Sequence, residues 1–231
     1  MTKPKKQPPS PDLVQKIEKL LLIAMAAPVP SRLLSVSEDK LFEIWTLARL
    51  LRAFKSAGGS VTHIPPVGKS IHTIVVAGNP ASADKTKFSH FEMNDGFGNA
   101  YEAWVSVEMK SLSWSLNPLT PIPLAGMHEL DVGVFLPNGG AYPPHTHLCV
   151  GVSCKNVKTA VKENVREALG LRRESAFLRS PNPSRAPWLV PTVPADPPSP
   201  LFLVSSDPAV KRYRSPVDEL GLYVRYLHFK S

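Results

Sequence analysis

The sequence predicts an α/β protein in which helices flank a mixed central sheet. Three observations lead to this prediction. Two segments with the 3.6-residue apolar period of helices open the chain. Two apolar strand patterns, HELDVGVF and LCVGVSCK, follow one another in the middle. The second half then alternates strand and helix patterns, which is typical of a sheet covered by helices.

Capping and stop signals set the elements of the first half. Residues 11–27 form an amphipathic helical pattern that proline residues stop. Ser37 is a suitable N-cap for a second helix, which is expected to run to the stop at Gly58 and Gly59. Strand candidates follow at HTIVVAG (72–78) and FSHFEM (88–93), and an aromatic segment follows at AYEAWVSVEM (100–109).

Proline and glycine residues also mark the element boundaries in the second half of the chain. A helical pattern from about Val157 to Leu169 follows the strand LCVGVSCK. Residues 181–200 hold eight prolines and are expected to form an extended surface loop. The remaining expectations are a buried strand at LFLVSS, a helix between Asp207 and Gly221, and a closing strand at LYVRYLHF. The predicted domains are residues 1–34, a basic disordered tail and an N-terminal helix, and residues 35–231, an α/β domain that carries the proline-rich loop.

Charge and cysteine content narrow the class of partner and the compartment. The net charge of +8 favours a polyanionic partner, nucleic acid before an anionic membrane. Cys149 and Cys154 lie on one predicted strand about 16 Å apart, too far for a disulfide. Both are therefore predicted to be reduced thiols of a cytoplasmic protein. Because no apolar run is long enough to span a bilayer, we expect no membrane partner.

The two central strands carry polar side chains that suggest a site. With a side-chain period of two, Glu129 and Asp131 share one face of the first strand, and Ser153 and Lys155 share one face of the second. Carboxylate oxygens bind Mg²⁺ or Mn²⁺, and a lysine can orient water or neutralise developing charge. This combination points to metal-dependent cleavage of a phosphodiester. The alternative is an ordinary ion pair between Asp131 and Lys155 in water at the strand ends.

A third carboxylate supports the site. Glu43 lies on the apolar stripe of the second helix with Leu47, Leu50 and Phe54. A carboxylate in such a stripe is costly unless it has a partner or a metal. The alternative is a salt bridge to a buried arginine, or a helix-end position that reaches water.

These residues carry a resemblance to a known family. A helix with an inward glutamate, a strand with an aspartate, and a next strand ending in a lysine before a helix resemble the PD-(D/E)XK, or restriction-endonuclease-like, nuclease superfamily over roughly residues 37–230. The resemblance implies that Glu43 and Asp131 are catalytic, metal-binding carboxylates and that Lys155 activates the attacking water. LFEIW (41–45) further resembles nuclease subunits of McrBC-type restriction systems. That likeness implies restriction or anti-phage defence with a separate NTPase or recognition subunit.

One position departs from the superfamily pattern. The family usually has an acid two residues before the lysine, where this chain has Ser153, which we expect to add a secondary contact. Glu129 is the preferred replacement metal ligand. Glu163 and Glu167 on the following helix are less favoured because they lie opposite its apolar side. The alternatives are a binding or assembly subunit that kept the fold and lost the chemistry, and a basic scaffold protein without a nucleic-acid role.

Cations near the C-terminus complete the set of candidates. Lys211, Arg212 and Arg214 lie in the predicted C-terminal helix and are candidates for contact with a phosphate backbone, of DNA in preference to RNA. They are equally consistent with a solvated helix face. The interpretation also allows for a homodimer.

Overall fold

The structure is a computed structural model that describes residues 11–25, 36–178, 195–214 and 217–229. In these residues helices cover a mixed sheet on both sides, so the predicted α/β class is confirmed. The helices are α1 (Pro11–Met25), α2 (Glu38–Ser56), α3 (Leu112–Leu116) and α4 (Lys162–Ser175). The strands are β1 (Ser60–Ile64), β2 (His90–Asn94), β3 (Ala100–Lys110), β4 (Met127–Phe135), β5 (Leu148–Lys155), β6 (Phe177–Leu178), β7 (Ala195–Asp196), β8 (Leu201–Ser205) and β9 (Leu222–Tyr226).

The main sheet changes from antiparallel to parallel at β5. Its strand order is β1-β2-β3-β4-β5-β8-β9; each pair as far as β5 is antiparallel, and the last two pairs are parallel. Strands β6 and β7 form a separate two-stranded ladder. The carboxyl ends of the parallel strands therefore meet at one edge of the sheet, where Lys155, Ser205 and Tyr226 are in register.

Each face of the sheet has its own apolar core. One core joins α1 and α2 to inward residues of the central strands such as Val132 and Val150. The other core lies under α4 and contains Val165, Leu130 and Leu203. Because α1 packs on α2 within the first core, the N-terminal helix is part of the same packed unit as the sheet.

Helix α2 begins and ends where its sequence predicts. The Ser37 side chain accepts a hydrogen bond from the Lys40 backbone N–H at 3.2 Å and so caps the first turn. The helix ends at Ser56, and Gly58 follows with a φ of +96°, a conformation that glycine adopts without the steric cost of a side chain.

The alternation of side chains fails in the middle of β3 and β4. Val105 packs in the α2 core and Val107 in the α4 core, although they are two residues apart. Across the ladder, Leu130 and Val132 are divided between the two cores in the same way. Ser106, between the two valines, has a φ of +51°. This left-handed residue interrupts the regular pleat, so faces assigned by a period of two change at this point.

Three predicted elements differ from the structure. Residues 72–78 form no strand; Val75 instead bonds to Ser89, its N–H donating to the hydroxyl at 2.9 Å and its carbonyl accepting from the backbone N–H at 2.8 Å. The helix predicted from about Val157 is wrong at both ends, since α4 covers Lys162–Ser175. Its late start follows from the Ala160 N–H, which donates to an Asp207 carboxylate oxygen at 2.6 Å and so holds the preceding segment outside the helix.

The C-terminal helix prediction is also wrong. The described residues there form two short 3-10 helices, Pro208–Tyr213 and Val217–Leu220, before β9. Asp207 does cap the first of them, as its carboxylate accepts the Ala209 N–H at 3.0 Å.

A buried arginine fastens this region to the sheet. Arg172 of α4 is 4% exposed and donates to the carbonyls of Leu220 and Ser199, each at 2.8 Å. Those carbonyls lie just before β9 and β8, so the guanidinium connects α4 to the N-terminal ends of both strands by hydrogen bonds.

The predicted basic tail (1–10) and most of the proline-rich loop (181–194 of 181–200) lie outside the described residues. In the described part of the chain, no helix combines the length and apolar character needed to cross a membrane.

Candidate active site

Glu43 is the inward carboxylate of α2. It is 8% exposed and faces the sheet from within the apolar stripe of the helix, as predicted. Its Oε2 accepts hydrogen bonds from the Lys40 ammonium at 2.6 Å and from the Ser106 hydroxyl at 2.9 Å. The Lys40 ammonium also donates to the Ser106 hydroxyl. The partner of the buried glutamate is therefore a lysine three residues earlier on the same helix, and not an arginine.

The left-handed conformation of Ser106 makes this contact possible. Val105 packs in the α2 core, and the positive φ of Ser106 lets its hydroxyl reach Glu43 on the same face, against the usual alternation. A left-handed conformation costs a non-glycine residue about 1–2 kcal/mol. The hydrogen bonds to Glu43 and Lys40 offset this cost, so the irregular strand is specified by the polar cluster.

Asp131 lies on β4 and is hydrogen-bonded to the neighbouring strand β5. Its Oδ2 accepts the backbone N–H of Cys154 at 2.6 Å. Burial raises the pKa of Asp131 to about 6; the Cys154 hydrogen bond opposes this rise, and the charge of Glu129 adds to it. The carboxylate is thus fixed by the neighbouring strand and destabilised in its charged form.

Glu43 and Asp131 interact as like charges. Burial raises the pKa of Glu43 to about 7, and the nearby Asp131 contributes to the rise, while Lys40 and Ser106 partly oppose it. Two neighbouring carboxylates whose ionisation is disfavoured form a site that favours a bound cation.

Lys155 lies at the end of β5 and pairs with α4. Its ammonium contacts Glu167 Oε1 at 2.7 Å, and the two side chains are 19% and 54% exposed. The electrostatic effect of Lys155 lowers the pKa of Asp131, so the lysine lies near that carboxylate as well. Glu167 is exposed, as its position opposite the apolar side of the helix predicts, and its pairing with Lys155 was not predicted.

Ser153 lies on the opposite side of the sheet from Glu43. It is 2% exposed and in register with Leu203, whose side chain packs in the α4 core. The next residue, Cys154, packs against the α2 core instead. The structure therefore brings Glu43 and Asp131 together, whereas Ser153 points to the α4 side. Lys155 pairs with Glu167 of α4 and acts electrostatically on Asp131.

Glu129 is the remaining metal-ligand candidate. It is half-buried, close enough to Asp131 to raise its pKa, and in register with Glu108 of β3. Across the described residues, no three histidine, cysteine or acidic side chains come close enough together to hold a metal ion.

The predicted nucleic-acid-binding cations lie on the first of the two 3-10 helices and just beyond it. Lys211, Arg212 and Arg214 are exposed, and the Lys211 ammonium lies 5.2 Å from the centroid of the Tyr226 ring. Tyr226 ends β9 in the same row of strand ends as Lys155. Lys211 is therefore at the same edge of the sheet as the candidate site.

Sequence reasoning missed Lys40 and Ser106. Lys40 was detectable, because a residue three positions before Glu43 lies on the same helix face. Ser106 carried no such signal, since its role depends on a backbone conformation that breaks the strand pattern.

Comparisons of the chain with protein-family models, with curated proteins and with solved structures find no match.

Proposed function

We propose that the chain is a metal-dependent endonuclease that cleaves phosphodiester bonds of nucleic acid, DNA in preference to RNA. The observation that carries the proposal is the pair of the buried Glu43 and the half-buried Asp131, whose pKa values are raised to about 7 and about 6, with Lys155 at the end of β5. A site of this kind gains stability from a cation and lies next to a residue able to contact water or phosphate.

The order of elements adds support. A helix with an inward glutamate, the strands β4 and β5, the helix α4 and the parallel strands β8 and β9 follow one another in the order that the resemblance to the restriction-endonuclease-like superfamily implies. The net charge of +8 and the exposed Lys211 at the same edge of the sheet suit a phosphate backbone.

The residues present fit Mg²⁺ or Mn²⁺ as a cofactor. Mg²⁺ takes one or two protein carboxylates and completes its shell with water and substrate phosphate, so two carboxylates are sufficient. Glu43 and Asp131 would hold the ion, with Glu129 as an additional ligand. When bound, the ion polarises the phosphodiester and lowers the pKa of water. Lys155, oriented by Glu167, donates a hydrogen bond to the attacking water and neutralises developing negative charge.

Cleavage of supercoiled and linear DNA in Mg²⁺, Mn²⁺ or EDTA tests this function. We expect metal-dependent nicking that falls by about 10²-fold or more in Asp131→Ala and Lys155→Ala. Glu92→Gln, which changes an exposed carboxylate of β2, is the matched control and should cut like the wild type. Equal cutting by the wild type and both site variants would refute the assignment.

The second candidate is a nucleic-acid-binding or assembly subunit that retains the fold without the chemistry. It is favoured by Ser153, which stands where the family has an acid and packs on the α4 side, and by Lys40, which already neutralises Glu43. The same assay separates the two candidates: no cutting in any metal, with DNA binding that weakens steeply with salt, supports the binding subunit.

The biological setting follows from the resemblance alone. We propose a cytoplasmic role in restriction or anti-phage defence, with a separate NTPase or recognition subunit and with a homodimer as the form to test first. Adding a candidate partner to an inactive preparation and measuring cleavage tests the need for such a subunit.

A further inference from the structure

Lys40 is a buried ammonium inside the candidate site. The residue is 6% exposed, although lysine normally extends its charge into water. Its ammonium contacts Glu43 Oε2 at 2.6 Å and the Ser106 hydroxyl. Taking an ammonium out of water is expensive, and close opposite charges are needed to compensate for it. The position of Lys40 is thus tied to the carboxylates.

The ammonium acts on both carboxylates and not on one alone. It opposes the raised pKa of Glu43 through a hydrogen bond and through its charge, and it also lowers the pKa of Asp131. With two carboxylates and one ammonium, the cluster carries a net charge of about −1 when all three groups are ionised. A divalent cation would compete for the same carboxylates, and two donors already contact Glu43 Oε2.

We propose that Lys40 competes with the divalent cation, because its ammonium occupies the cation position beside Glu43 and Asp131. The free protein therefore binds metal weakly, and removal of the ammonium creates a tight metal site. This inference deepens the proposed function, since it rests on the same carboxylate pair, but it concerns metal binding and does not require cleavage.

The proposal has a physical consequence for substrate binding. A phosphate group supplies further oxygen ligands and negative charge, which favour the metal over the single positive charge of a lysine. The metal would therefore join the site mainly together with the nucleic acid, and Lys40 keeps the carboxylates compensated in its absence.

A purely structural role for Lys40 makes a different prediction. If the lysine only stabilises the fold, replacing it lowers stability and leaves metal affinity unchanged. Metal affinity is therefore the discriminating measurement, and it can be made without nucleic acid.

The test is titration of Mn²⁺ into the full chain by calorimetry, with the unfolding temperature recorded with and without the ion. The variants are Lys40→Met, which keeps the length of the side chain and removes its charge, and Lys40→Arg, which keeps the charge. We expect Lys40→Met to bind Mn²⁺ at least about tenfold more tightly than the wild type, and Lys40→Arg to bind like the wild type. The gain should disappear in Lys40→Met combined with Asp131→Asn.

Several outcomes would overturn the proposal. Folded Lys40→Met that binds Mn²⁺ no more tightly than the wild type refutes it, and so does a gain that survives in the double variant. If Lys40→Met does not fold, Ser106→Ala replaces it. That change removes the hydroxyl that accepts a hydrogen bond from the ammonium and should raise the affinity for Mn²⁺ by a few-fold. An unchanged affinity counts against the proposal.

Failure of this inference is distinguishable from failure of the proposed function. Tight Mn²⁺ binding by Lys40→Met without DNA cleavage by any form of the protein supports the competitor role and refutes the nuclease. Metal-dependent cleavage by the wild type, with Lys40→Met unchanged in metal affinity, supports the nuclease and refutes the competitor role.

Discussion

Replacement of Asp131 by asparagine is expected to stabilise the metal-free protein at neutral pH. Burial raises the pKa of Asp131 from 3.8 to about 6 in the folded state. The folded protein then holds the carboxyl proton of Asp131 more tightly than the unfolded chain does. The stabilising contribution of Asp131 is therefore fully present below pH 3.8 and is lost as the pH rises through about 6. Asparagine keeps an acceptor for the Cys154 N–H and carries no charge.

The size of the effect follows from the same values. The rise in the pKa of Asp131 from 3.8 to about 6 corresponds to a loss of folding stability of roughly 3 kcal/mol as an upper limit. Asp131 is half-buried and not fully enclosed, so water screens part of this penalty. We therefore expect Asp131→Asn to raise the free energy of unfolding by about 1–2 kcal/mol at about pH 7.5.

Urea denaturation in EDTA between about pH 4 and pH 7.5 measures this difference. The gain of Asp131→Asn should be near zero at the acidic end and grow across the window, while Glu92→Gln on the exposed side of β2 should show no such trend. A variant less stable than the wild type near neutral pH, or a difference that does not change with pH, would refute the reasoning that the ionised carboxylate strains the fold.

Three further expectations concern other parts of the molecule. Burial lowers the pKa of His90 to about 4, so stability should fall as the pH drops from 6.5 through about 4, and His90→Gln should flatten that acid limb in urea titrations. Gly151→Ala should lower the free energy of unfolding by about 1–3 kcal/mol because a Cβ there meets a leucine methyl of β8 at 2.6 Å. Gly170→Ala in α4 meets no neighbouring atom and should not destabilise the fold. Denaturation curves of the two variants measure this difference. If DNA binds at the sheet edge, Lys211→Ala should reduce the slope of log affinity against log salt by about 1, while Arg52→Ala on α2 should leave it unchanged; anisotropy titrations measure both slopes.

The sequence predicted the elements whose side chains repeat regularly. The apolar period of α2 placed Glu43 inside, and the apolar patterns of β4 and β5 located both central strands, because each pattern spans enough residues to outweigh local exceptions. The C-terminal 3-10 helices lacked such a pattern. A cap at Asp207 and a stop at Gly221 are equally compatible with an α-helix and with shorter turns.

The parts of the site that escaped prediction depend on irregular backbone or on long-range contact. A period of two assigns every residue of a strand to a face, and the left-handed Ser106 invalidates that assignment on β3 and on the strand beside it. Lys40 escaped for another reason, since a lysine in a first helical turn is ordinarily solvated. Only the packing of α2 on the sheet buries it.

The contact between Lys40 and Ser106 joins positions 66 residues apart, and Asp131 bonds to a strand 23 residues further along the chain. Closing loops of this length costs entropy before any contact compensates for it. During synthesis, Asp131 therefore lacks its hydrogen bond from the Cys154 N–H until β5 has left the ribosome, and N-terminal fragments that end before β5 lack this contact. The order of the chain thus delays the fixing of the Asp131 side chain until β5 has joined the sheet.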